Sequence, residues 1–408
     1  MSDRQREFDV IVYGASGFVG ALVARHLAAH APAGTRIALA GRSAAKLERL
    51  RLDWPIVVAD ASDDAALTTM ACRARVVVTT VGPYAKYGRP LARACAENGT
   101  DYVDLTGEVL FARDSIDENH ETARRTGARI VHSCGFDSIP SDIGVHVLHA
   151  QVQADDAGEL TDTTLVVTSM RGGVSGGTID SMRHQVDVMK KDRRLRAIGA
   201  SPYSLSPDRK TEPDLGRQPD MITLAGSDVD PSLRGHLAPF VMASYNTRVV
   251  RRSNALRDWA YGRSFRYREV MSVGTSPAAP VLALATKAVL NGLVIGFAVP
   301  PVRFVLDRIL PAPGTGPSES TQRNGHFTVD VFTRTTSGAR YRSRVKAEGD
   351  PGYAATAVML GESALALALD RDRLPDSGGG VLTPATAIGD ALVDRLRTAG
   401  FEITAQRL

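Results

Sequence analysis

Residues 8–20, FDVIVYGASGFVG, constrain this chain more than any other stretch. Positions 8–13 form a short apolar run, long enough for one buried strand. Gly14, Gly17 and Gly20 then space as G-x-x-G-x-x-G, and positions 21–30 carry the apolar spacing of a helix. Strand, glycine turn and helix in that order make the first unit of a dinucleotide-binding fold. Gly14 permits the sharp turn, Gly17 leaves backbone N–H groups open to a pyrophosphate, and Gly20 lets the helix pack close to the strand. The helix N-terminus adds partial positive charge where the phosphates would lie. Ser16, Phe18 and Val19 join the three glycines as candidate cofactor contacts. A glycine triplet alone can be a plain tight turn, but here the context fits on both sides.

The alternation continues. Strands are expected at 36–41, 56–60, 75–81, 101–105 and 129–134, with helices at 43–51, 63–73, 88–98 and 108–126. Continuous apolar strands between helices imply a parallel sheet covered on both faces, a Rossmann-type doubly wound α/β domain over residues 1–138. Strand two ends in Gly41-Arg42-Ser43, with Lys46 a turn further on. NAD-preferring domains usually place an acid there for the ribose hydroxyls. An arginine instead pairs with a 2′-phosphate and stacks on adenine, so NADP is expected as cofactor. The alternative is a surface arginine at a helix start. Asp60 either meets the adenine amino group or caps the next helix. Ligands lie beyond the carboxyl ends of such strands, which puts Val81, Gly82 and Pro83 at the nicotinamide ribose. Tyr84, Lys86 and Tyr87 follow, as proton donors or carbonyl polarisers, or else as a Pro-Tyr turn packed on a second domain. Asp137 is a site residue or a helix cap, and His132 reads as a core histidine.

After residue 138 the rhythm stops. A strand at 160–170, a glycine-rich turn at 171–178, a helix carrying His184, a loop at 201–220, a helix with a basic face at 241–259 and a strand at 265–273 follow. Residues 327–336 and 339–347 alternate around Ser337-Gly338 as a hairpin. This is an α+β substrate domain, 139–349, with a mostly antiparallel sheet. Residues 350–408 read as helices at 352–371 and 384–399 plus a strand at 401–405, returning to the dinucleotide domain. The most apolar stretch is 278–310. Its uncharged core, 288–302, has 15 residues, against about 20 needed to span a bilayer. It is a buried helix, a lid over a long acyl chain, or a membrane-surface contact.

Net charge is only +4, from 49 Lys and Arg against 45 Asp and Glu, which gives no footprint for nucleic acid. Cys72, Cys95 and Cys134 show no metal spacing, so no metal is expected and the thiols read as reduced. The polar N-terminus runs directly into the first strand without a signal-peptide pattern, which points to the cytoplasm. A homo-oligomer is compatible with all of this.

The motifs YGASGFVG, AGRS, TTVGPYAKYG, YVDLTGE, SCGFDSIPSDIG, SGGTIDS, GYAATAVML and GVLTPATAIGD run nearly end to end. Through them the chain resembles the saccharopine dehydrogenase-like oxidoreductases, and within these the trans-acting enoyl reductases. Those are stand-alone proteins that serve polyketide synthases lacking a working reductase, on the way to phthiocerol-type lipids. The resemblance implies NADP-linked reduction of a C=C bond conjugated to a thioester held on a carrier protein. In that reaction Tyr84 or Tyr87, with Lys86 nearby, would donate to the enolate oxygen or the α-carbon. Two other readings remain: an amino-acid dehydrogenase, which needs a strongly polar pocket for carboxylates, and a non-catalytic NADP-binding adaptor or redox sensor.

Overall fold

The computed structural model describes residues 6–172, 176–309 and 324–408. The first run is β1 (Phe8–Tyr13), α1 (Phe18–His30), β2 (Ile37–Gly41), α2 (Ala44–Glu48), β3 (Ile56–Val58), α3 (Asp64–Arg73), β4 (Ala74–Thr79), α4 (Tyr84–Asn98), β5 (Asp101–Val103), α5 (Val109–Thr126) and β6 (Arg129–Val131). Every side chain of β1 and β2 is buried, as strands covered on both faces require. The second run is α6 (Ile139–Ala154), β7 (Leu160–Arg171), α7 (Gly176–Lys191), α8 (Arg193–Ala200), β8 (Leu224–Ala225), β9 (His236–Pro239), α9 (Ala243–Leu256), β10 (Arg266–Ser272), α10 (Ala279–Ala298), α11 (Pro300–Ile309), β11 (His326–Thr335) and β12 (Arg340–Glu348). The chain closes with α12 (Ala354–Leu369), β13 (Gly380–Leu382), α13 (Pro384–Ala387), α14 (Asp390–Thr398) and β14 (Glu402–Arg407).

Two seven-stranded sheets result. The first is parallel throughout, in the order β13-β6-β5-β4-β1-β2-β3. The chain steps outward from β1 to β3, then returns to β4 on the other side of β1. That reversal opens a crevice at the carboxyl ends of β1 and β4. The second sheet runs β14-β12-β11-β7-β10-β9-β8 and is antiparallel except between β7 and β10. The 326–348 hairpin is present, with Arg334 opposite Arg340 at its turn. A single hydrophobic core joins β1, β4, α12, α6 and the β11–β12 hairpin.

Several elements differ from the sequence expectation, each through a long-range contact. α4 starts at Tyr84 rather than at 88, because the Glu108 carboxylate accepts from the backbone N–H groups of Tyr84 and Ala85, both at 2.9 Å. The glycine run at 378–380 leads into a strand that the sequence pattern does not show. Gly380 donates to the Ala128 carbonyl at 2.8 Å and opens β13, which completes the parallel sheet. β14 pairs with β12 of the second sheet, so the last residues serve both sheets. The basic face of α9 is inside: Arg248, Arg251 and Arg252 are buried, and Arg252 reaches the carbonyls of Leu205 and Val381 at 2.5 and 2.6 Å.

α10 is long and apolar enough, by length and composition, to cross a membrane, although Lys287 sits within it. Pro300 opens α11, so the uncharged core expected at 288–302 is divided between two helices. Neither is a buried core helix: Leu284, Val289, Ile295 and Phe304 are all at least 60% exposed.

Candidate active site

The glycine turn has the geometry its spacing implies. Gly14 has φ +84°, and a Cβ there would lie 2.7 Å from Val81 Cγ2. A Cβ on Gly20 would sit 2.2 Å from the Gly14 carbonyl oxygen, so α1 approaches β1 more closely than any side chain permits. Gly17 is the N-cap of α1 and no side chain caps it, which leaves the first N–H groups of the helix for a ligand. Gly41 lies against this turn, its Cβ position 3.9 Å from Ser16 Oγ. The next residue, Arg42, and Lys46 are exposed, and no side-chain hydrogen bond or ion pair of either is seen among the described residues. Arg42 is near enough to Asp60 to help hold its carboxyl below the usual range, after the larger effect of hydrogen bonds from Ser62. Asp60 does not cap α3: it accepts from Ser62 N and Oγ at 2.9 and 2.7 Å, and Asp63 is the cap.

A cavity of about 470 Å³ lies against this turn at the carboxyl ends of β1 and β4. Gly17, Phe18, Val19, Gly82 and Pro83 form one wall. Asp137 and Tyr245 stand in another, and Met182, Val186 and Met189 of α7 with Leu290 and Leu293 of α10 make an apolar roof. Val81 is not in the lining; it packs behind, against Gly14. Of the glycine-rich turn at 171–178, residues 173–175 lie outside the described residues, whereas Gly177 and Thr178 line the cavity. His184 is half-buried on α7 and outside the lining. Phe18 packs edge-on against Tyr353 with ring centroids 5.2 Å apart, and the Tyr353 hydroxyl accepts from Gly176 N, so the glycine turn, the C-terminal segment and α7 meet at one point.

Residues 10–131 match the saccharopine dehydrogenase NADP binding domain, so the parallel sheet is a nicotinamide-dinucleotide domain. Over 421 residues, covering 100% of both chains, the sequence is 50% identical to the trans-acting enoyl reductases of Mycobacterium tuberculosis (strain H37Rv) and Mycobacterium ulcerans. This chain belongs to the trans-acting enoyl reductase family. A further M. tuberculosis member, provisionally named for the same activity, is 52% identical over 420 residues with both chains fully covered. The fold of this enoyl reductase relative is that of apo saccharopine dehydrogenase (L-Glu forming) from Saccharomyces cerevisiae, at TM-score 0.53 and 13% identity, over 98% of this chain and 99% of that one.

In this member of the family the three side chains singled out for proton donation stand apart. Tyr84 lines the cavity, but its hydroxyl donates to the Thr79 carbonyl and accepts from Leu105 N, both at 3.2 Å, and burial pushes its pKa well up. Lys86 is exposed, with its ammonium 4.8 Å from the Tyr87 ring centroid, and both lie outside the lining. The Tyr245 hydroxyl is also committed. Ser133 donates to the Thr106 carbonyl at 2.6 Å, which leaves Tyr245 as the donor in their 2.5 Å contact. His132 is a satisfied core histidine, held by Asp104 at 2.7 Å and Ser115 at 2.9 Å.

Asp137 is different. Its carboxyl reaches the cavity, accepts no hydrogen bond from any described residue, and is raised to about 6 by burial alone. Glu108, which the sequence did not single out, is fully buried and ties α4 to α7 through Ser181 Oγ at 2.7 Å. A lone acid at a helix start was the only local signal for it.

Proposed function

We propose that this chain is an NADP-dependent enoyl reductase that acts in trans on an acyl thioester carried by a polyketide synthase, in lipid biosynthesis. The observation that carries the reading is the junction of an apolar, acyl-sized cavity with the uncapped helix N-terminus and with the carboxyl of Asp137, which accepts no hydrogen bond from a described residue.

The residues present fit NADP. The open N–H groups of α1 suit the pyrophosphate, and the exposed guanidinium of Arg42 and ammonium of Lys46 suit a 2′-phosphate. When bound, the reduced cofactor supplies hydride to the β-carbon of the conjugated double bond. Gly82 and Pro83 set the depth to which the reacting carbons enter. Asp137 takes the role first given to Tyr84: it delivers the proton to the α-carbon, since burial holds its acid form up to about 6 and no described residue donates a hydrogen bond to its carboxyl. Lys86 and Tyr87, outside the lining, take no part in the step.

An amino-acid dehydrogenase fits less well. A substrate with several carboxylates needs cations in its pocket, and among the described residues the lining contains no Arg, Lys or His. A non-catalytic adaptor has no use for a substrate-sized cavity beside Pro83. The test is NADPH oxidation by purified protein with enoyl thioesters of increasing chain length. Turnover that rises with chain length supports the reading. Tight NADPH binding without turnover on any thioester would move the assignment to the adaptor, and folded protein that binds neither NADPH nor NADH would overturn it.

A further inference from the structure

The roof of the cavity has a second face. α7, α10 and α11 form their own small core, in which Ile179, Val186 and Phe297 are buried and Met182 and Leu306 pack around them. Arg303 of α11 pairs with Asp187 of α7 at 2.5 Å. The outward side of this layer is apolar. Nine of the twelve large hydrophobic side chains exposed among the described residues belong to α10, α11 and the junction between them, from Val281 to Val305. Soluble surfaces scatter such residues singly, and a contiguous group marks an interaction face.

A cationic run adjoins it. Residues 190–196, KKDRRLR, span the end of α7 and the start of α8, and all five cations are exposed. The one acid in the run, Asp192, is tied up locally as the cap of α8, accepting from Arg194 N at 2.7 Å. The run therefore carries a net charge as large as the +4 of the whole chain. Asp187 lies one helical turn before Lys190 and Lys191, so its pairing with Arg303 sets the exposed Phe304 and Val305 beside the cations.

We propose that this face, α10 and α11 with the 190–196 run, docks the protein in the plane of an anionic phospholipid surface. Apolar side chains enter the acyl boundary and the cations sit at the headgroups, the pattern of interfacial rather than spanning helices. The charge decides for this occupant: a second copy of the chain would bring the same cationic run to the contact and repel it. α10 stays attached by its buried side, with Ala279, Ala283 and Phe297 fixed in the protein, which opposes a transmembrane placement. The roof residues Leu290 and Leu293 belong to the same helix, so the docked face lies directly over the cavity. The inference does not depend on the reductase reading.

The experiment is vesicle flotation of the full chain, with phosphatidylcholine alone and with phosphatidylcholine mixed with phosphatidylglycerol. Wild type is expected to float with the anionic vesicles and to be released by salt. Arg193→Ala with Arg194→Ala should weaken the partition about tenfold or more, at about 1 kcal/mol per cation. Ile295→Ser with Phe304→Ser should abolish it, while helical circular dichroism and NADPH binding stay as in wild type and confirm folding. Flotation that ignores lipid charge and salt would overturn the proposal, as would no flotation at all. So would a dimer in size-exclusion chromatography that the Ile295 and Phe304 substitutions dissociate without any vesicle binding.

Discussion

The Ser181 hydroxyl donates to the Glu108 carboxylate at 2.7 Å, and this contact joins α7 to the start of α5 in the dinucleotide domain. Glu108 also receives two backbone N–H groups at the start of α4. Its removal therefore strands two helix-terminal donors in a buried place. Glu108→Ala is expected to cost about 2–4 kcal/mol and Ser181→Ala about 1 kcal/mol in denaturant unfolding. Equal effects from both would mean that the cap on α4 contributes nothing.

Asp137 sets a pH dependence with a definite sign. Burial raises it from the ordinary 3.8 to about 6, so its charged form is disfavoured in the folded chain. The stability penalty is absent below about pH 4, grows through about pH 6 and is constant above. Asp137→Asn is expected to raise stability by about 1–2 kcal/mol above pH 7 and to leave it unchanged in acid. If Asp137 gives up the α-proton, kcat of wild type falls as pH rises past about 6, and the asparagine variant is slower by about 100-fold or more with that limb lost. A variant that keeps the wild-type profile would remove Asp137 from the mechanism.

Arg42 should distinguish the two cofactors. Arg42→Ala is expected to weaken NADPH binding by about 10- to 100-fold, as for loss of one charge-assisted contact, and to leave NADH binding as it was. The readout is nicotinamide fluorescence. Equal losses for both cofactors would place Arg42 on the shared part of the dinucleotide.

Two glycines make a paired test. Gly20→Ala puts a methyl 2.2 Å from a backbone oxygen, and Gly292→Ala, in the middle of α10, meets nothing within 4 Å. The first should abolish NADPH binding and lower the melting temperature. The second should be neutral or stabilise by up to about 1 kcal/mol. Tolerance of the first would show that α1 can retreat from β1.

Much of the molecule was legible before folding. β1 and the glycine turn are local features: six apolar residues bury as one strand, and a close approach can be made only by glycine. The β-α rhythm of residues 8–131 and the hairpin at 326–348 follow from hydrophobic period alone. The resemblance carried by eight short motifs added the family. The site candidates came from local spacing: Gly14, Gly20 and Arg42 follow one another along the chain, and Asp137 stood as either a site residue or a helix cap.

The substrate side depended on contacts between distant residues. Tyr84 looked like a donor until its hydroxyl was seen held between Thr79 and Leu105. Arg252 belongs to the basic face read in the sequence, and it is buried on carbonyls 47 and 129 residues away. β13 is not read from the sequence because three residues carry little pattern, and its pairing with β6 decides its place. Period and spacing report how a segment meets its own neighbours, so the sequence by itself determined most of the strands, the glycine turn and the pair of cations after strand two. Which polar groups are already satisfied is a property of the assembled interior: the tertiary structure tied up the Tyr84 and Tyr245 hydroxyls and left the Asp137 carboxyl without a hydrogen bond from any described residue.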